Sequence, residues 1–154
     1  MPTSNSAQIR ANYARIRDEV AQDITIVVAT KYVDLEGMTA LADAGVEVVG
    51  ENRAQDLEAK HARFGERFRW HFIGHLQSRK GKVVSEHCEL VHSLDSLSAA
   101  KRLSIPALVE VNLAGEESKS GVPVLAMGGR PPKVATSMRF LNFCRSERAS
   151  SHRR

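Results

Sequence analysis

The chain has 154 residues, 42% hydrophobic and 26% charged, the balance of an ordinary soluble globular domain long enough to bury a core. No apolar run approaches the roughly 18 residues of a membrane span, and Met1-Pro2-Thr3-Ser4-Asn5-Ser6 lacks the basic and apolar stretches of a signal peptide. The net charge of +4 is uneven: residues 1–121 hold 15 Lys/Arg against 17 Asp/Glu and residues 122–154 hold 7 against one, so the basicity belongs to the tail and nucleic-acid binding by the whole chain has little support.

Residues 7–22 place Ile9, Tyr13, Ile16 and Val20 on one helical stripe. The run Ile24-Thr25-Ile26-Val27-Val28-Ala29-Thr30-Lys31 follows, a strand buried on both faces that ends on a lysine. Asp34 is a predicted N-cap for a helix carrying Leu35, Met38, Leu41 and Ala42, with Gly45 as its stop. Val46 to Val49 form a second strand, and Glu51 or Asn52 opens a helix that ends near Gly65. Phe68 to Ile73 read as strand three, Ser78 to Val84 as a short helix and Leu90-Val91-His92 as strand four. Asp95 is a predicted cap for a helix through Leu103, and Ala107 to Leu113 form strand five. About five strand–helix alternations with short connections predict parallel βα units, as an open doubly wound sheet or as part of a (β/α)8 barrel.

After Gly121 the pattern breaks. Pro123, Gly128, Gly129, Pro131 and Pro132 punctuate a tail that predicts irregular chain, with Met138 to Cys144 as its single apolar segment. Cys88 and Cys144 match no metal or redox spacing, so reduced thiols and a cytoplasmic location are expected, with neither thiol catalytic.

In either fold, function sits at the carboxyl ends of the strands. Those ends offer Lys31, then Gly50-Glu51-Asn52, Gly74-His75-Leu76-Gln77-Ser78, His92-Ser93-Leu94-Asp95, and Asn112 with Gly115 to Gly121. A polar ring of amine, carboxylate, amide and imidazole suits an aldehyde-bearing cofactor with a phosphate, since a desolvated lysine forms a Schiff base and helix N-termini bind anions. Helix capping is the alternative reading of Glu51-Asn52 and of Ser93-Leu94-Asp95, and a lysine that turns into solvent is the alternative for Lys31. His71 and His75 fall on one strand face, but no third ligand follows at a usable spacing, so no metal is expected. There is no Gly-x-Gly-x-x-Gly, P-loop or Gly-x-Ser-x-Gly motif.

In order along the chain, Val28-Ala29-Thr30-Lys31, Gly50-Glu51-Asn52, Trp70-His71-Phe72-Ile73-Gly74-His75-Leu76-Gln77-Ser78, His92-Ser93-Leu94-Asp95 and Val111 to Gly121 resemble the pyridoxal phosphate homeostasis protein family. These are single-domain relatives of the alanine racemase N-terminal barrel. The resemblance covers about residues 7–121. It implies a (β/α)8 barrel with pyridoxal 5′-phosphate held as a Schiff base on Lys31, Asn52 and His75 at the cofactor mouth, and Lys119 in a loop at the same mouth. It also implies a carrier that buffers the cofactor and delivers it to apoenzymes, with no assigned catalysed reaction.

The chain departs from the family in several places. The late-strand segments that hold the cofactor phosphate are absent after Gly121, a second lysine near Lys31 is replaced by Val33, and the helix before strand five is short. The expectation is therefore a partial (β/α)8 barrel of about five βα units, truncated or frame-shifted near residue 121, with residues 122–154 a basic tail unrelated to the family. Such a fragment is expected to leave two unpaired sheet edges and an open apolar interior. Two further functions follow from that picture: a non-binding fragment that acts by protein association, and a basic-tailed nucleic-acid binder.

Overall fold

Short, largely buried strands joined by helices build one parallel sheet. The structure is a computed structural model and describes residues 4–113, 115, 120–123 and 138–142. Helix α1 (Ser4–Glu19) precedes β1 (Thr25–Ala29), and α2 (Leu35–Asp43), β2 (Val48–Glu51), α3 (Ala54–Phe64), β3 (Arg69–Phe72), α4 (Gly81–His87), β4 (Leu90–Leu94), α5 (Leu97–Ala100) and β5 (Ala107–Val109) alternate after it. Strands β6 (Val111–Asn112), β7 (Val122–Pro123) and β8 (Met138–Asn142) follow.

The sheet runs in the order β5-β4-β3-β2-β1-β8 with every pairing parallel, a curled half-barrel. Parallel neighbours need a crossover, and the predicted helices supply it. Asp34 caps α2 as predicted, its carboxylate accepting from the Gly37 N–H at 2.8 Å, and Gly45 follows at φ 85°, which glycine adopts without strain. The helix α1 stripe is also as predicted: Ile9 is buried, and Tyr13, Ile16 and Val20 pack against the core. No helix among the described residues is long and apolar enough to cross a membrane.

Registered partners in a parallel sheet share a face, so the pairs Val28↔Val49 and Val49↔Trp70 put these residues on one side. That side joins Ile26, Phe72 and Val91 to Met38, Leu41, Leu57, Phe64 and Val84 of the helices, forming the core. The pairs Ala29↔Gly50 and Gly50↔His71 mark the opposite, inner side. A Cβ on Gly50 would lie 3.1 Å from Val27 and 3.0 Å from Ile73, so those side chains fill the inner side around the glycine.

Two expectations need correction. The edge at β1 is not open, because β8 pairs with β1 from Thr25↔Met138 to Ala29↔Asn142. The apolar tail segment can reach that edge because parallel pairing makes no demand on sequence proximity. Strand five also divides: β5 stays with β4, while β6 leaves to pair with β7 in a second sheet. The Glu110 backbone is the branch point. Its N–H donates to Leu94 O at 2.9 Å and its carbonyl accepts from Val122 N–H at 2.8 Å.

Candidate functional site at the carboxyl ends of the strands

Thr30 is fully buried just beyond β1 and is held from three directions. Its N–H donates to Gly50 O (2.9 Å), its hydroxyl donates to Glu51 Oε1 (2.7 Å), and its carbonyl accepts from Lys60 Nζ (2.7 Å). Lys31 follows on this support, half-buried, its Nζ 5.0 Å from the centroid of the exposed Tyr32 ring. Ala29 pairs with Gly50, so Lys31 and Asn52 each stand two residues past one rung of the ladder, at neighbouring strand ends.

Glu51 does not contribute its carboxylate to the predicted polar ring. It shares the helix-facing side with Val49 and is 0% exposed, with Lys60 Nζ of α3 2.5 Å from Oε1. Nor do Glu51 or Asn52 cap α3. Arg53 occupies the cap position without a side-chain hydrogen bond. Asn52 instead keeps its Oδ1 buried with no hydrogen-bond partner among the described residues.

His75 reaches across to the residue that follows β4, its Nδ1 2.9 Å from Asp95 Oδ2, with 64% of the side chain exposed. Asp95 is therefore not the cap of α5. Ser96 takes that role, accepting from the Ala99 N–H at 3.3 Å. Asn52 and His75 come together, lining one cavity of about 200 Å³ with Arg53, Gln55, Arg79 and Lys80. A wider cleft of about 520 Å³ adjoins it on the Asp95 side of His75. Lys119 lies outside the described residues.

Gly74 sets the spacing of these ends. A Cβ there would fall 2.1 Å from the Asn52 carbonyl oxygen, an overlap that backbone cannot yield to cheaply. Ser93 Oγ donates to the Gly74 carbonyl from the other side. Gly74→Ala is expected to cost about 1–3 kcal/mol of stability through overpacking, read as a lower denaturation midpoint with an unchanged slope. A midpoint equal to that of the parent chain would disprove this role of the close contact.

The inner face carries a group that the sequence reading missed. His92 Nε2 lies 2.9 Å from His71 Nδ1, and His71 Nε2 lies 3.0 Å from Glu89 Oε1, which Arg69 contacts at 2.7 Å. Neutral His71 donating to Glu89 leaves its Nδ1 to accept from His92, which fixes both tautomers. Burial holds the His71 imidazole below its ordinary range despite its hydrogen bond to Glu89. Burial and the neighbouring His71 push His92 down to about 4. The signal lay in the register: His71↔Leu90 puts His92 on the His71 face, whereas the sequence reading had set His71 beside His75. Among the described residues no three His, Cys, Asp or Glu side chains form a metal-binding group. Burial, with Glu51 and Glu89 nearby, pushes the Cys88 thiol up to about 12, which leaves it inert as a nucleophile.

The strand ends of this parallel half-barrel thus carry a lysine, an amide and an imidazole. No family model matches the chain. The pyridoxal phosphate homeostasis protein of Escherichia coli K12 is 31% identical over 150 residues, a match that covers 82% of this chain and 64% of that protein. PipY of Synechococcus elongatus, solved without pyridoxal phosphate, superposes with a TM-score of 0.71 at 25% identity, covering 87% of this chain and 67% of that one. The PipY structure with pyridoxal phosphate bound shares the fold at a TM-score of 0.70 and 23% identity, with the same coverage. The chain is similar to the pyridoxal phosphate homeostasis proteins over most of its own length, and it spans a little under two thirds of the length of the E. coli relative.

Proposed function

We propose that the chain binds pyridoxal 5′-phosphate as a cytoplasmic homeostasis protein, with Lys31 as the amine that holds the cofactor aldehyde as a Schiff base. The observation that carries this reading is the placement of Lys31: half-buried, on a clamped strand end, one strand from Asn52 and two from His75, in a fold shared with PipY. When bound, the cofactor supplies an aldehyde that can be passed between amines. The residues present fit such a group. Lys31 offers the amine, Asn52 a buried oxygen that needs a donor such as a ring hydroxyl, and His75 an imidazole already oriented by Asp95.

In this reading residues 1–121 carry the function, residues 122–154 are a basic tail, and Lys119 is the second amine at the mouth. Apoenzymes that take up the cofactor are the partners, and the chain carries rather than transforms it. The competing reading, association through a sheet edge, rests on β5, where Val109 is 47% exposed.

The test is an absorbance spectrum with added pyridoxal phosphate, then borohydride reduction and peptide mapping. The expected result is a visible band trapped on Lys31 and lost in Lys31→Ala. Label spread evenly over surface lysines, unchanged by that substitution, rejects the binding reading and leaves association.

A further inference from the structure

The geometry points to a second feature at the same end of the sheet: the 200 Å³ cavity between the start of α3 and the turn after β3 is a binding site for a phosphate group. Its lining includes the cationic side chains of Arg53, Arg79 and Lys80 and no carboxylate. None of the three cations forms an ion pair among the described residues, although five other Lys or Arg ion pairs occur there. Arg79 Nε is engaged only by Gln77 Oε1, at 3.2 Å, which leaves the rest of its planar fork for a ligand.

The backbone adds to the same field. Helix α3 is 11 residues long, and its cap residue Arg53 makes no side-chain hydrogen bond, so its first N–H groups have no side-chain acceptor. Gln55 brings a side-chain amide to the wall. Asp56 in the first turn of α3 is not in the lining, Asp95 is occupied by His75, and Glu51 is paired with Lys60. Three unpaired cations, the Gln55 amide and a helix start around one cavity select a compact dianion. A phosphomonoester or inorganic phosphate matches that charge better than a single carboxylate.

The proposal stands apart from the assignment of Lys31, because none of its groups is that lysine. The same chemistry has two sources, the phosphate of a cofactor seated at the strand ends or a separate phosphorylated compound. Calorimetric titration of the full chain with inorganic phosphate at low ionic strength tests the site. Binding is expected, with a loss of at least tenfold in affinity in Arg53→Gln/Arg79→Gln. Both side chains are exposed, and circular dichroism will show that the variant retains its fold. No heat up to millimolar phosphate, or an equal affinity in the folded variant, overturns the site.

A second arm identifies the source. If phosphate slows Schiff-base trapping on Lys31, the cavity serves the cofactor. Phosphate that binds without slowing it assigns the cavity to a separate compound, and absence of trapping with phosphate binding intact rejects only the Lys31 reading.

Discussion

Lys60→Met is expected to destabilise the chain by about 3–5 kcal/mol, the usual cost of removing one partner from a buried ion pair. Glu51 is fully buried on the helix-facing side, and its Oε2 has no partner among the described residues. Its charge therefore depends on Lys60 at 2.5 Å and the Thr30 hydroxyl at 2.7 Å. Without the ammonium, the carboxylate is left in a low-dielectric layer with one hydrogen bond. A loss of that size is a large part of the total stability of a domain, about 5–15 kcal/mol. Urea denaturation reads the loss directly. The double variant Glu51→Gln/Lys60→Met, which removes both charges, is expected to recover most of it. Equal stabilities for Lys60→Met and the parent would refute the ion pair as a structural element.

Acid is the second large perturbation. Unfolded histidine titrates near 6.5, whereas folded His92 is pushed down to about 4 and folded His71 is also held low by burial. Between about pH 6.5 and 4 the unfolded chain therefore binds more protons than the folded one. Stability is present in full above this window and is lost as pH falls through it, by about 2–3 kcal/mol for His92 alone. Glu89 acts lower on the scale. Burial raises its carboxyl, but hydrogen bonds from Arg69 and His71 outweigh this and hold it below the usual range, so its contribution fades only under more acid conditions. Denaturation midpoints should fall steeply in the parent chain as pH is lowered from 7 to 4.5, and much less in His92→Gln. Identical slopes would mean that the imidazole pair does not carry the effect.

What could be read in advance, and what could not, divides along physical lines. The helical stripe of Ile9, Tyr13, Ile16 and Val20, the Asp34 cap and the strand runs are local signals, and each matches an observed element. The facing of Glu51 was not legible because β2 is buried at all of its positions, so no alternation marks which side a residue takes. Asp95 and Ser96 are adjacent and equally fit to cap, and only the approach of His75 decides between them. The break at Glu110 and the pairing of β8 with β1 are set by partners distant in the chain, which periodicity does not record.

The clamp on Thr30 places a fully bonded residue directly before Lys31. Up to residue 30 the backbone is bonded to β2 and to α3; at residue 32 the side chain is 73% exposed. In the proposed function the Lys31 amine would reach an acceptor through its four methylenes, from a root held by the Thr30 hydrogen bonds. Reach and aim are thereby separated: side-chain rotamers set how far the amine travels, and the sheet sets where it starts. Handing over a bound group would then require no opening of the sheet.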